Sequence, residues 1–561
     1  MKQIVECVPN ISEGKDQAII DACANAAAEV EGCTLLDVDP GADTNRTVIT
    51  LAGEPEAVLE GAFQLIKMSH RLIDMSKHHG EHPRAGATDV CPFVPVSNIT
   101  MEECVELAKR MGQRVGDELD VPVYLYEFAA SKPEWANLAE VRKGEYEALS
   151  QKMKDPEWKP DFGPHEFRPK FGAIHISARK FLIAYNINMN TRFARLAKDI
   201  ALKIREKGHL KRDERREFVL NENGKKIKVP GLFKNCKAGG WYLDAINKSQ
   251  VTMNLTDMDV TAPHQVFDKV CELAAEMGVR VTGSEIVGLI PLQSMLEAGR
   301  YFLKKQKRST AVDERELVRV AIETMGLEDV AEFDPDKKIV EYTIADKNRK
   351  KLVDLTITGF ANELASESPA PGGGSVAALA GSLAASLATM VANLTHGKFE
   401  YEEAWEDVEK VGVIGQDLKE KLLKAIDDDT DAFNEVMAAM RLPKKSPEQV
   451  EARNKAMDDA NKLATNIPFS VCEMSLQCFD LIDVVAKKGN PNSISDVGVA
   501  ALCANAAVYG AALNVRINIP GIKDQDFVAE KKAKIGEFIK TAEARKDAVL
   551  ERVDEVLKLS E

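Results

Sequence analysis

Hydrophobic and polar positions follow two rhythms along this chain, and the change between them divides it. Over roughly the first 325 residues, short runs of period two alternate with stretches of period 3.6. Residues 3–8 read as a strand and 15–29 as an Ala-rich helix. Strands are predicted over 34–39 and 46–51, around the turn Pro40-Gly41-Ala42-Asp43. A helix over 55–75 carries Pro55 in its first turn. A buried strand over 90–96, interrupted by Pro92 and Pro95, a helix over 101–119 and a strand over 121–126 follow. The opening order β-α-β-β-α-β is the split βαβ arrangement. A polar, Pro-rich stretch over 132–170 separates it from a second set. That set has a strand over 181–188, a helix over 192–207, strands over 241–247 and 251–257, a helix over 262–277 and a strand over 279–282. The sets share their order and no residue-level repeat, so two similar subdomains facing across a groove are expected.

Composition shifts after about residue 325. Asp334-Pro335-Asp336-Lys337-Lys338 reads as a linker and 339–344 as a short alternating segment. From 351 onward strands vanish. Helices are predicted over 352–364, 375–394, 402–440, 447–487, 497–517 and 527–559, with short Gly/Pro/Asn breaks, which is the pattern of an antiparallel bundle. The fold class expected is therefore an α/β (α+β) N-terminal half of two split-βαβ subdomains, plus an all-α C-terminal helical bundle. The expected domains are residues 1–180, 181–326, a linker over 327–345 and a bundle over 346–561. The stretch 375–394 approaches membrane length. It is rich in Ala and Ser and lacks flanking interfacial charges, so it reads as a buried bundle helix.

A chain of 561 residues exceeds one hydrophobic core. Its net charge of -15 argues against nucleic acid or an anionic membrane as the main partner, and an anionic substrate would need a local basic pocket. Ten scattered cysteines, with no C-x-x-C pair and no zinc spacing, read as reduced thiols of a cytoplasmic protein without a metal site. The first residues lead straight into a polar strand, without the pattern of a signal peptide.

Candidate chemistry concentrates at His78-His79-Gly80-Glu81-His82-Pro83-Arg84, which places three of nine histidines within five positions. His82 is the best general acid or base, since imidazole titrates near neutrality and Pro83 holds the turn that carries it. Asp39 ends a strand and is either a turn cap or a ligand group. Asn45 and Arg46 open the next strand, and Arg46 reads as a carboxylate fork or a salt bridge. The loop Gly163-Pro164-His165-Glu166-Phe167-Arg168-Pro169-Lys170-Phe171-Gly172 mixes aromatic and basic residues. It suits a flat heteroaromatic carboxylate, stacked by Phe167 or Phe171 and paired by Arg168 or Lys170, or it is a linker. In the helical half, Gly372, Gly373, Gly374 and Ser375 open a helix whose free N–H groups form a cradle for a polar ligand. Asp427, Asp428, Asp429 and Asp431 lie inside a predicted helix. Asp429 shares a face with Phe433, four residues on, and is expected to point inward. Asp496 adds another polar group to an apolar helix.

Together these segments resemble the bifunctional formiminotransferase-cyclodeaminase family. The matching pieces are Val8-Pro9-Asn10-Ile11-Ser12-Glu13-Gly14, Asp37-Val38-Asp39-Pro40-Gly41, Asn45-Arg46-Thr47, Glu81-His82-Pro83-Arg84, Asp89-Val90-Cys91-Pro92-Phe93, Asp161-Phe162-Gly163-Pro164 and Gly240-Trp241-Tyr242-Leu243. They continue with residues 369–375, 429–433, Gly489-Asn490, Asp496 and Asn514-Val515. The resemblance implies transfer of the formimino group from N-formimino-L-glutamate to tetrahydrofolate. It then implies closure to 5,10-methenyltetrahydrofolate with release of ammonia, in histidine degradation and one-carbon metabolism. It places the transferase histidine at His82, the folate loop at 163–172 and the cyclodeaminase aspartate at Asp429. Asp39 would hold the cationic amidine, and Arg46 and Arg84 the glutamate carboxylates. Tetrahydrofolate would be the co-substrate, with its polyglutamylated form left open, and the chain a homo-oligomer, as dimers or a higher ring. Two other readings compete: a glutamate formyltransferase using N-formyl-L-glutamate, and a non-catalytic folate-binding scaffold.

Overall fold

The structure is a computed structural model that describes residues 3–42, 45–80, 83–213, 215, 217–244, 246–344 and 351–558. His82, with Glu81 and Asp43, lies outside the described residues. The chain divides into two units, Met1–Ala298 with Ala321–Ala345, and Gly299–Val320 with Asp346–Glu561.

The first unit contains both predicted β-α-β-β-α-β sets. The opening set comprises β1 (Ile4–Cys7), α1 (Gln17–Ala28), β2 (Cys33–Gly41), β3 (Arg46–Gly53), α2 (Pro55–Leu72) and β4 (Thr88–Ser97). α3 (Met101–Leu119), β5 (Val123–Glu127) and β6 (Ile174–Ala178) extend it. The sheet runs β2-β3-β1-β4-β6-β5, with the short strand Asn10–Ile11 continuing the line of β1. β6 lies parallel between β4 and β5. Local chemistry sets the helix starts: Asp16 caps α1, and Thr100 with Glu103 forms a capping box on α3. One face of the sheet, including Val5, Cys7, Ile49, Leu51, Phe93 and Ile176, packs on these helices. The other, through Val90, Tyr124 and Tyr126, is covered by Trp135, Val141, Leu149 and Met153. The polar stretch 132–170 is thus a covering layer of short helices.

β4 runs unbroken through Pro92 and Pro95, where interruptions are expected from sequence. Pro95 sits where the register between β1 and β4 shifts, so its missing N–H falls at an irregularity.

The second set comprises β7 (Ile183–Met189), α4 (Ala194–Ile204), β8 (Cys236–Leu243), β9 (Lys248–Leu255), α5 (Pro263–Glu276) and β10 (Val281–Val287). Its antiparallel sheet runs β8-β9-β7-β10, with the same relative order as β2-β3-β1-β4. β8 begins five residues before its predicted start. Gly240 permits this, since a Cβ there would lie 2.3 Å from the Lys198 nitrogen on α4. α6 (Leu292–Lys305) and α7 (Glu314–Met325) follow.

The bundle consists of α8 (Gly373–Thr395), α9 (Trp405–Arg441), α10 (Pro447–Lys488), α11 (Ile494–Asn518) and α12 (Gln525–Lys558). α8 packs against α9, α10 and α11. Its small residues allow close approach: a Cβ at Gly381 would lie 2.7 Å from the Ser475 hydroxyl. α8 and α11 are both long and apolar enough to cross a membrane, yet both line the core of this bundle. Pro468 sits inside α10 and cannot donate to the carbonyl of Ala464. The Asn518 side-chain amide donates there instead, at 2.7 Å, so the helix continues.

Candidate active site

In the first unit the candidate residues converge on an ion cluster centred on Asp89. Ile11 pairs with Thr88 and Asn10 with Val90, so Asp89 is an extra residue in β4 at a bulge. Its fully buried carboxylate meets Arg46 at 2.6 Å and Arg142 at 2.5 Å, and accepts from the Ala85 amide at 2.9 Å. Burial alone would raise its pKa. Arg46 and Arg142 outweigh that, and the carboxyl is held below its ordinary value. His175 on β6 bonds the Asp89 carbonyl through Nδ1 at 3.0 Å. Burial depresses its pKa to about 4, more than Asp89 offsets, so this imidazole is neutral at pH 7.

Asn45 adopts a left-handed conformation, φ 48, at the start of β3. Its side chain accepts from the Gly14 amide and donates to the His79 carbonyl, while its own carbonyl lies 2.8 Å from His78 Nε2. Arg84 donates through Nε to His78 Nδ1 at 3.3 Å. That donor fixes the tautomer: His78 carries its proton on Nε2 and gives it to Asn45. Burial lowers the His78 pKa, which also favours the neutral ring. Arg84 is held by Glu147 at 2.7 and 2.9 Å and by Glu145 at 3.3 Å. Both chain segments flanking His82 are therefore pinned.

The loop 163–172 is joined to the same place. The Lys170 carbonyl accepts from Met75, the Phe171 carbonyl from Ala87 and the Ala85 carbonyl from Ala173. Gly172, at φ +83, passes so close that a Cβ would lie 2.0 Å from the Ala85 oxygen. Phe167 packs on Tyr146 at 5.6 Å, and the Tyr146 hydroxyl donates to the Pro169 carbonyl. Gly163 is exposed and Pro164 half-buried. Asp39 is exposed on the edge strand β2, two residues from Gly41, which pairs with Arg46. It therefore shares a sheet face with Arg46.

In the bundle, α8 begins at Gly373 with Gly372 as its N-cap, so Gly373, Gly374 and Ser375 form its first turn. Asp429 on α9 faces that turn. The Ser375 hydroxyl lies 3.3 Å from its Oδ2, and a Cβ at Gly374 would lie 2.2 Å from its Oδ1. Burial raises the Asp429 pKa against the opposing Ser375 hydrogen bonds. Asn514 on α11 completes the wall, with its amide 3.3 Å from a Cβ placed at Gly373. The neighbouring acids are used differently: Asp427 accepts from the Leu352 amide and Asp428 pairs with Lys424.

The family model described as the formiminotransferase domain, N-terminal subdomain, matches residues 4–179, and that of the formiminotransferase domain matches 184–345. The formiminotransferase-cyclodeaminase model matches 356–537. A formimidoyltransferase-cyclodeaminase from Mus musculus is 40% identical over 551 residues, covering 98% of each chain. The chain belongs to the formimidoyltransferase-cyclodeaminase family. Single-activity relatives match its parts. A glutamate formimidoyltransferase from Streptococcus pyogenes is 40% identical over 54% of this chain and 94% of its own. A methenyltetrahydrofolate cyclohydrolase from Methylorubrum extorquens is 40% identical over 35% of this chain and 95% of its own.

Against this formimidoyltransferase-cyclodeaminase frame, four sequence expectations need correction. Arg46 and Arg84 are not open carboxylate forks, because Asp89 and Glu147 already engage them. Phe171 is not offered to a ligand: it is 1% exposed, in the core, beside His70. Arg168 pairs with Asp120 and Glu166 rather than standing free, while Lys170 stays exposed and donates to the Arg71 carbonyl. Asp496 lies in the first turn of α11, eighteen residues before Asn514. At 1.5 Å per residue it is about 27 Å away along the helix from the Asp429 wall. Sequence reading missed Asp89 as a site residue, together with Arg142, Glu147 and His175. An aspartate inside an apolar strand was the available signal for the first. Arg142 and Glu147 sit in the polar stretch 132–170, and His175 in 171–180, a segment without a predicted element.

Proposed function

We propose that this chain transfers the formimino group of N-formimino-L-glutamate to tetrahydrofolate, then closes 5-formiminotetrahydrofolate to 5,10-methenyltetrahydrofolate with loss of ammonia. The chain is a bifunctional enzyme, and the observation that carries the reading is the match to formimidoyltransferase-cyclodeaminase over 98% of both chains. In the first reaction folate N5 attacks the amidine carbon, the bond from that carbon to the glutamate nitrogen breaks, and the N5 proton goes to that nitrogen. His82 is assigned this proton shuttle, on segments pinned by Arg84, Asn45 and the 170–173 strip. Asp39 is assigned the cationic amidine, supported by its exposure on the face it shares with Arg46. The Asp89 cluster and Arg84 are positioning groups. The loop with Gly163, Pro164, Phe167, Lys170 and Gly172 is assigned the folate.

In the second reaction N10 attacks the same carbon of the protonated formimino group, and the N10 proton leaves with nitrogen as ammonia. Asp429 is assigned that transfer: its raised pKa brings it nearer to neutrality, and the first turn of α8 beside it offers N–H groups to a polar ligand. Histidine breakdown as the metabolic setting and a cytoplasmic location belong to the same proposal. The free state of all ten cysteines supports the location. Homo-oligomerisation is also part of it. α8 exposes Val376, Leu383, Met390 and Leu394, and α11 exposes Val499, Leu502, Tyr509, Leu513 and Ile517, as apolar stripes on adjoining helices.

A second reading is favoured by the cyclohydrolase relative of the bundle, in which this half would hydrolyse a methenyl-folate bridge without ammonia. Incubation with tetrahydrofolate and either donor separates them. N-formimino-L-glutamate is expected to give methenyl-folate absorbance and ammonia in equal amounts. Turnover with N-formyl-L-glutamate alone, or methenyl hydrolysis with no ammonia from the formimino donor, would reject the proposal.

A further inference from the structure

The second unit holds a basic cleft that neither proposed reaction uses. It encloses about 490 Å3 and is lined by Lys307, Arg308, Ser309, Asn393, His396 and Lys398, with Val312 and Gly397. No carboxylate lines it, in a chain whose net charge is -15. Among the described residues, the side chains of Lys307, Arg308 and Lys398 form no ion pair, although they stand beside one another around one opening.

The floor of the cleft is rigid. The Ser309 hydroxyl donates to Asn393 at 3.0 Å, and the Asn393 amide donates to the Ala311 carbonyl at 2.8 Å. Thr310 donates to Glu409 Oε1 through both its amide and its hydroxyl. The other oxygen of Glu409 is buried without a hydrogen bond, 3.8 Å from His396 Nε2. The His396 ring is stacked on Trp405 at 5.4 Å. Glu409 is thus turned into the floor, with its second oxygen directed at His396.

The cations also exceed what the adjacent helix end requires. α6 closes with the Arg308 amide on the Leu303 carbonyl and the Lys307 amide on the Lys304 carbonyl. This is a Schellman closure, which places Lys307 in the left-handed region at φ 56, a position that favours glycine. Lys304 and Lys305 already supply cations to the last turn of α6. Lys307, Arg308 and Lys398 come in addition, from two segments of the chain that both line this cleft.

We propose that this cleft is an anion-binding site for a small molecule carrying two or more carboxylate or phosphate groups, and it shares no residue with either catalytic constellation. Its volume suits such a ligand, and three convergent cations with a fixed polar floor form a pre-organised recognition set. An anion bound there would bridge the 307–309 segment to the end of α8 and stabilise the folded bundle by mass action.

The test is calorimetric titration of the full-length protein with pyrophosphate and, separately, with tricarballylate. Saturable one-to-one binding is expected for at least one probe, with affinity reduced at least about tenfold in the K307Q/R308Q/K398Q variant. R308Q alone, a milder change, should give an intermediate loss, and both variants should keep wild-type transferase and cyclodeaminase rates. A response to pyrophosphate only would name phosphate as the ligand group, and to tricarballylate only would name carboxylate. Absence of saturable heat below about 10 mM for both probes, or equal affinity in wild type and triple variant, would overturn the proposal.

Discussion

Asp89 shows how one residue organises the transferase half. A buried carboxylate between two guanidinium groups is tolerable only while all three charges are present. Asp89→Asn leaves Arg46 and Arg142 facing one another without compensation. It should destabilise the first unit by about 3–5 kcal/mol in denaturant unfolding, where a solvent-exposed pair would give under about 1. Unchanged unfolding would remove the cluster from the account. Glu6 presents the opposite case. Burial raises its pKa from the ordinary 4.5 to about 7, with Arg179 opposing and Glu341 adding to the shift. A carboxyl with a raised folded pKa supports folding fully below its unfolded value and loses that support as pH rises through the folded one. At about 1.4 kcal/mol per pKa unit, stability should fall by roughly 3 kcal/mol between pH 4.5 and pH 7 on this group's account. Glu6→Gln should remove that slope in melts taken across the range, and an identical slope in the variant would show that Glu6 does not titrate as its burial implies.

At the scale of the element, the start of α8 is the most constrained piece of the bundle. Gly374 leaves room for Asp429 and nothing else, since a Cβ would fall 2.2 Å from the carboxylate oxygen. Gly374→Ala should therefore lower ammonia release at least about tenfold by displacing that group, while helix propensity itself is slightly improved. Wild-type ammonia release from this variant would separate the glycine turn from catalysis. Much of this was legible beforehand. The turn of glycines and the inward Asp429 follow from helical spacing, and the order of both β-α-β-β-α-β sets follows from alternation. β6 was not legible, because its sequence Ile174-His175-Ile176-Ser177-Ala178 is short, follows a proline-rich loop and contains a histidine that becomes buried only through its neighbours. The same holds for Arg142 and Glu147: short helices packed over a sheet carry little periodic signal, and their partners are about fifty to sixty residues away. α6 and α7 lie between the last predicted strand of the second set and the composition shift near residue 325, where no element is predicted. The doubtful reach of Asp496 came from a motif with no length attached, and counting residues along α11 resolves it.

For the whole molecule, two folds with different chemistries are joined in one chain, and each matches single-activity relatives over nearly their full lengths. The exposed apolar stripes of α8 and α11 call for a covering surface, and a second copy is the one proposed here. Leu513→Asp should shift the sedimentation profile toward smaller species, and an unaltered profile would locate self-association elsewhere. The central claim is that two separate sites perform successive steps. It is tested most directly by Asp429→Asn, supplied with N-formimino-L-glutamate and tetrahydrofolate while glutamate and ammonia are followed together. The account predicts glutamate release at the wild-type rate with ammonia and methenyl-folate reduced at least about a hundredfold. Loss of both products together, or persistence of both, would contradict it.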